Sequence, residues 1–179
     1  MKNPYRTQIL SSLLIFVFGL LVSCQQSANK NMIHSQQIST SSLNDVQMLI
    51  DKTLPFVENL LNEYGEFFPM SSVIRMNDSI SFVSTYDGND RPPSEKVIMD
   101  LKKTINKEKE KYKVVAIFYD VKVIDPSTKL KTDAVAILVE TKNDINAYTF
   151  YYPYQKGGDN KISFSKSWKI IIDKEILSN

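Results

Sequence analysis

Two aspartates, Asp120 and Asp133, are the side chains best suited by type and spacing to acid–base chemistry. Asp120 interrupts an apolar stretch that begins at Val114, and Asp133 begins the next apolar stretch. If the turn at 125–127 pairs these two strands, the carboxylates lie close together, and such a pair can do acid–base work or bind a cation. The alternative is that both mark strand positions near the sheet edge and face water or neighbouring lysines.

An aromatic run is the second candidate site. Alternate side chains of a strand share a face, and four even positions here are aromatic: Tyr148, Phe150, Tyr152 and Tyr154. Tyrosine combines a large apolar ring with a polar hydroxyl, which suits contact with a protein or a ligand. The alternative explanation is core packing together with the strand propensity of aromatic residues.

The first 23 residues have the layout of a secretory signal. Lys2 and Arg6 precede a largely apolar run at 9–22, and a small residue then precedes Cys24. The run is shorter than the roughly 20 residues that a membrane-spanning helix needs. The stretch Leu21-Val22-Ser23-Cys24 resembles the lipobox of bacterial lipoproteins. That resemblance implies cleavage before Cys24 and diacylglycerol on its sulfur, whereas the alternative is a secreted protein with an incidental cysteine.

Lipid on Cys24 would hold the protein on a membrane of the bacterial cell envelope, because multiple acyl chains anchor durably. Residues 24–41 are rich in Gln, Ser and Asn and are predicted to form a flexible tether. No acidic cluster follows Cys24, which favours the outer membrane, facing the periplasm.

Cleavage before Cys24 also limits which functions the remaining chain can have. It removes two of the 22 basic residues and no acidic one, leaving 20 of each, and a neutral chain lacks the basic patch of a nucleic-acid-binding protein. Lipidation uses the only thiol, and the only histidine, His34, lies in the tether. Thiol catalysis, Ser-His-Asp catalysis and histidine zinc sites are therefore excluded. We predict no catalytic residue, no metal site and no cofactor.

Apolar periodicity predicts two helical regions. The first begins at Ser42, breaks or kinks near Thr53 because of Pro55, and ends at Gly65 in a left-handed conformation. The second is capped by Ser94.

The remaining segments are predicted strands. A hairpin turns at Asn77-Asp78, and four strands follow, at 114–123, 134–139, 145–154 and 162–170. The predicted fold class is α+β, in the order helix(es)-β-β-helix-β-β-β-β. One antiparallel sheet would pack against the helices in a single domain at 42–179. Roadblock or profilin-like domains and the NTF2-like cone share this order, and Trp168-Lys169-Ile170 looks like the ending of the cone.

The stretch Gly65-Glu66-Phe67-Phe68-Pro69 follows an apolar helix and precedes a hairpin. It resembles a Gly-Glu-Phe-Tyr-Pro-Phe pattern in small uncharacterised bacterial proteins, and the resemblance covers about residues 43 to 155. This chain departs from the pattern at Phe68 and Met70. Some of those proteins look like immunity proteins that neutralise toxins. We expect Phe67 and Phe68 to plug the helix end against the sheet.

These observations favour a non-enzymatic, lipid-anchored module that binds a protein or peptide, with immunity proteins as one such class. An NTF2-like pocket for a small ligand is the first alternative. A carboxylate-dependent hydrolase using Asp120 and Asp133 is the second.

Overall fold

Two α-helices and seven β-strands form the part of the chain that a computed structural model describes, residues 38–158 and 161–178. These residues belong to one unit, Ser35–Asn179. The helices are α1 (Thr40–Tyr64) and α2 (Ser94–Lys107), and a 3-10 turn follows at Lys109–Lys111. The strands are β1 (Met70–Arg75), β2 (Ile80–Val83), β3 (Tyr112–Ile124), β4 (Lys131–Thr141), β5 (Ala147–Lys156), β6 (Ile162–Phe164) and β7 (Trp168–Ile172). Cys24 and His34 lie outside the described residues, so the lipid anchor stays a prediction.

All seven strands belong to one antiparallel sheet. Its order is β2-β1-β3-β4-β5, and β6 and β7 both pair with the outer side of β5. The longest ladder joins β3 to β4, from Val114 opposite Thr141 to Ile124 opposite Lys131. The structure confirms the α+β class and the single antiparallel sheet packed against helices.

Alternation along β3 divides the core between the two faces of the sheet. Val114, Ala116 and Phe118 pack with α1 on one face. Val115 and Ile117 pack with α2 on the other. Successive strand residues point to opposite faces, so a strand that is apolar at every position becomes the centre of a helix–sheet–helix arrangement.

The sheet curls around α1, so that both of its edges reach the same helix. At one edge, the ring of Phe82 in β2 lies 6.3 Å from the ring of Phe56. At the other edge, the N–H of Ile162 in β6 donates to Asn62 Oδ1 at 2.6 Å. The face of α1 that the sheet encloses carries small and aliphatic residues at helical spacing, including Val46, Leu49, Ile50, Thr53, Val57 and Leu61.

The first helix starts earlier than predicted, and it has no break near Thr53, which was one of the two outcomes expected there, the other being a kink. It begins at Thr40, because Ser39 is the N-cap and its hydroxyl accepts from the Ser42 N–H. It also continues past Thr53 as one helix. Pro55 is exposed, as is Asp51, whose carbonyl loses its helical partner. Water can satisfy that carbonyl, so the helix does not need to end there.

Two further sequence expectations are wrong in detail. Ser94 is the first residue of α2 and makes no capping bond; the N-cap is Pro93. The predicted last strand is two strands, β6 and β7. They are separated because Pro153 of β5, which lies opposite the gap, has no N–H to donate there. The Pro153 carbonyl accepts from the Ser165 N–H at 2.8 Å, so the missing donor faces that same side.

The interruption shifts the register by one residue and changes which side chains share a face. Phe164 lies opposite Tyr154, whereas Trp168 lies opposite Tyr151. Tyr154 and Tyr151 point to opposite faces of β5. Phe164 therefore packs on the α1 side and Trp168 on the α2 side, whereas an uninterrupted strand would put two residues four apart on the same face.

Candidate functional site

A groove of about 990 Å³ lies at the β2 edge of the sheet. Its walls are the C-terminal half of α1, the segment at 66–71, the end of β2 and the loop that leads to α2. Gly65 creates this geometry. Its left-handed conformation, with φ of 75°, ends α1 and turns the chain back towards β1, and its N–H donates to the Leu61 carbonyl.

The groove is lined by exposed aromatic rings. Five of them are at least 49% exposed: Phe56, Tyr64, Phe68, Phe82 and Tyr86. Soluble proteins rarely leave so many large apolar side chains together in water, and such clusters mark surfaces that bind a partner or a ligand. This groove is therefore the strongest candidate site in the described part of the chain.

The motif at 65–69 contributes to this site in a way the sequence did not predict. Phe67 and Pro69 are buried, as expected for residues that close the end of α1. Phe68 points outwards and lines the groove, so the expectation that both phenylalanines plug the helix end is wrong for Phe68. Consecutive side chains in extended backbone point to opposite sides, which separates the two rings.

Polar contacts hold the loop that forms one wall. The Tyr86 hydroxyl donates to Asp90 Oδ1 at 3.0 Å. Lys96 Nζ pairs with Asp87 at 2.6 Å and with Asp100 at 2.6 Å. Hydrogen bonding to Lys96 lowers the pKa of Asp87, so the ion pair persists at neutral pH. The rim is thus tied to the first turns of α2.

The groove is negatively charged. Glu66 and Asp90 are the charged residues that line it, and both are acidic. An occupant with a basic group would meet carboxylates beside aromatic rings, and aromatic faces also attract cations.

The predicted tyrosine face lies elsewhere, against α1. Tyr148, Phe150, Tyr152 and Tyr154 share one face of β5, as predicted. Tyr148 is buried. The other three are partly buried against the α1 core. The structure therefore places these rings mainly in packing, and they do not line the groove.

The predicted carboxylate pair does meet on one face. Asp120 lies opposite Val135 and Asp133 lies opposite Lys122, so the carboxylates are diagonal neighbours across β3 and β4. The Tyr154 hydroxyl donates to Asp120 Oδ1 at 2.9 Å, and Lys122 Nζ lies 3.6 Å from Asp133 Oδ1. This is a small surface network that could hold a proton between Asp120 and Tyr154.

Neighbouring groups keep part of the water away from Asp120, and this desolvation raises its pKa although the side chain is exposed at the surface. The hydrogen bond from Tyr154 opposes that shift, and the negative charge of Asp133 adds to it. Burial, and then the hydrogen bond to Asp120, raise the pKa of Tyr154. The tyrosine is thus a protonated donor at neutral pH.

A buried carboxylate that the sequence did not single out anchors the C-terminal segment. Glu140 in β4 is fully buried and accepts from the backbone N–H groups of Glu175, Ile176 and Leu177 at 2.7 to 3.1 Å. Asn106 of α2 donates to the Ile176 carbonyl at 2.6 Å. The segment is thus clamped between β4 and α2. A lone acid at the end of the apolar stretch 134–139 is the only sequence signal for it.

Metal and membrane features can be stated for the described residues alone. Residues 38–158 and 161–178 contain no group of three or more His, Cys, Asp or Glu side chains arranged to hold a metal ion. Neither helix in that part of the chain is long and apolar enough to cross a membrane.

Sequence reasoning missed the groove because its aromatic residues come from three separate segments: α1, the turn after it, and β2 with its loop. Each ring alone is ordinary in its element, and only the fold brings them together. No family model, no curated protein and no solved structure matches this chain.

Proposed function

We propose that this chain is a non-enzymatic binding protein whose aromatic groove contacts a protein partner at the surface of the bacterial envelope. The observation that carries the proposal is the cluster of exposed rings around the groove. Aromatic residues are enriched where protein interfaces gain most of their binding energy. The polar network around Asp120 and Asp133 offers only two neighbouring carboxylates, so binding is better supported than catalysis.

The location rests on the sequence. Lipid on Cys24 would hold the domain at a membrane, the outer membrane on its periplasmic side, and the part of the predicted tether (24–41) that precedes α1 would separate the domain from the headgroups. Immunity proteins are one class with this combination, as the resemblance at 65–69 implies. A toxin gene next to the gene for this chain would support that class.

Photo-crosslinking in living cells tests the proposal. Benzoylphenylalanine is placed at Phe82 in the full chain, and the matched control places it at Ile170. Both positions are exposed and lie in strands at opposite edges of the sheet. We expect a discrete protein adduct from position 82 and none from position 170. Absence of a protein adduct at 82, or the same adducts at both positions, contradicts the proposal.

A small apolar ligand is the second candidate, because the groove volume lies at the upper end of the roughly 300–1,000 Å³ that ligand sites span. Native mass spectrometry of the purified chain distinguishes this function. A bound small molecule that is lost from a Phe82→Thr variant and kept by an Ile170→Thr variant supports it, and a mass equal to the bare protein counts against it.

A carboxylate-dependent hydrolase is the weaker alternative. Asp120 and Asp133 share a face with Tyr154, but neither carboxylate lines the groove. Hydrolysis that survives in the Asp120→Asn variant would remove this candidate.

The two finer architectures are supported by different features. The helix on each face of the sheet favours the roadblock or profilin-like alternative, whereas the curl of the sheet around α1 favours the NTF2-like one.

A further inference from the structure

We propose that the groove and the free edge of β2 together bind an extended, basic and apolar peptide segment of a partner protein, which adds to the sheet as an eighth strand. This inference deepens the proposed function and rests on it. It specifies the chemistry of the partner and the backbone atoms that recognise it.

The backbone N–H and C=O groups of alternate β2 residues point away from β1. The Arg75 N–H donates to the Ser79 carbonyl at 2.8 Å, which makes these residues a hydrogen-bonded pair. Bonded and non-bonded pairs alternate along an antiparallel ladder. Ile80 and Phe82, which lie opposite Ile74 and Ser72, are therefore at non-bonded positions, and their N–H and C=O groups point away from β1.

The outer edge of β2 is open among the described residues. β1 is the only strand that pairs with β2, and no other backbone segment among the described residues donates to or accepts from Ile80 or Phe82. Unpaired edge groups are a template for another strand. Peptides that add to an edge gain affinity from these bonds and specificity from pockets for alternate side chains.

The groove lies beside this edge. Phe82 points to the α1 face, where its ring lies 6.3 Å from that of Phe56. A strand added to β2 would direct every second side chain onto the same face, towards these rings. The edge and the groove thus form one continuous surface.

The groove also carries negative charge. Glu66 and Asp90 line the groove, and no basic side chain among the described residues does. Complementary charge steers association and selects against acidic partners. The matching segment therefore alternates apolar residues with arginine or lysine, which can also lie over the exposed rings.

The opposite edge of the sheet does not offer the same surface. β6 and β7 are separated by the interruption opposite Pro153, so their outer edge is not one regular strand. Such interruptions and edge lysines, here Lys166 and Lys169, block the addition of strands. That edge provides the matched control.

A phage-displayed library of random ten-residue peptides tests the inference on the purified full chain, with prior depletion on a Phe82→Thr variant. We expect enriched peptides that alternate apolar and basic residues. Their binding should weaken about tenfold or more with Phe82→Thr, as for a ring central to an interface, and stay unchanged with Ile170→Thr. A Glu66→Gln/Asp90→Asn double variant should lose most of the salt dependence of binding. Failure to enrich any peptide overturns the inference, as do enriched peptides without basic residues.

Backbone recognition is tested with two N-methylated versions of an enriched peptide, one methylated at odd and one at even positions. Only one set of amides faces β2, so one version should bind and the other should not. Any other pattern excludes strand addition. A Phe82-dependent dimer in sedimentation experiments would instead identify a second copy of this chain as the occupant. If crosslinks at position 82 persist while these tests fail, the proposed function stands and only strand addition is wrong.

Discussion

Replacing Glu140 with glutamine should destabilise the protein by about 2–4 kcal/mol, because it disrupts a buried side chain of the sheet that anchors the C-terminal segment. The carboxylate accepts from three backbone N–H groups through four contacts of 2.7 to 3.1 Å. Each hydrogen bond to a charged acceptor contributes about 1.5–3 kcal/mol. Glutamine keeps one acceptor oxygen and turns its NH₂ group towards the remaining N–H donors.

The loss has an upper limit, because the segment can detach into water. Docking buries Ile176 and Leu177 completely or almost completely, and each such side chain contributes about 1.5–3 kcal/mol before the entropy of ordering is subtracted. Once the segment detaches, further damage at position 140 costs little. Glu140→Ala should therefore destabilise only slightly more than Glu140→Gln.

Urea unfolding followed by circular dichroism measures the change, and hydrogen exchange at the amides of 175–177 locates it. Glu110→Gln is the matched control, because Glu110 pairs with Lys142 at the surface and its side chain is 75% exposed. We expect less than about 0.5 kcal/mol there. A chain truncated before Lys174 should show no further loss from Glu140→Gln. If Glu140→Gln matches the control, or if exchange at 175–177 is unchanged, the clamp does not stabilise the fold as reasoned.

Two further predictions concern polar groups elsewhere. The pKa of Asp120 is raised in the folded state, so the folded protein binds this proton more readily than the unfolded chain does. Protonation of Asp120 therefore favours folding at low pH, and this contribution to stability is lost as pH rises through the folded pKa. Thermal melts should therefore show Asp120→Asn gaining stability relative to wild type as pH rises from about 3.9, the ordinary aspartate value, towards neutrality; a constant difference would contradict this. The buried hydroxyl of Thr53 donates to Ser72 Oγ at 2.9 Å, so Thr53→Val should cost about 1–3 kcal/mol in urea unfolding by leaving Ser72 unpaired. Adding Ser72→Ala should recover part of that loss, and additive single effects would show that the bond is not responsible.

The elements of the fold were largely readable from local pattern, and the departures have specific physical causes. Gly65 was predicted at the end of α1 because only a residue that tolerates positive φ suits that position, and its φ is 75°. The turn with Asp78 at φ 64° was predicted for the same reason. Pro55 was expected to break or kink the helix, and the helix continues through it because Pro55 faces solvent, where water can replace the lost bond. The strand break opposite Pro153 was not predicted, because it depends on which strands pair with the outer side of β5.

The candidate sites were likewise predictable only in part from the sequence. The sequence predicted that Asp120 and Asp133 could lie near each other if the turn at 125–127 paired their strands, and the register of β3 and β4 makes them diagonal neighbours on one face. Alternation put four aromatic rings on one face of β5, but it could not tell that α1 covers them. The periodicity of a strand reports which side chains share a face and carries no information about which face another element will cover.

The sequence by itself determined the local chemistry of this protein: the apolar periods of its helices and strands, its turns, the candidate lipid anchor at Cys24 and the presence of one cysteine and one histidine. Only the tertiary structure decided where a binding surface lies. The groove joins α1, the turn after Gly65 and the edge of β2, and Glu140 meets backbone N–H groups from the far end of the chain. These neighbours are set by the curl and strand order of the sheet, because contacts between distant segments depend on the free energy of the whole packed core.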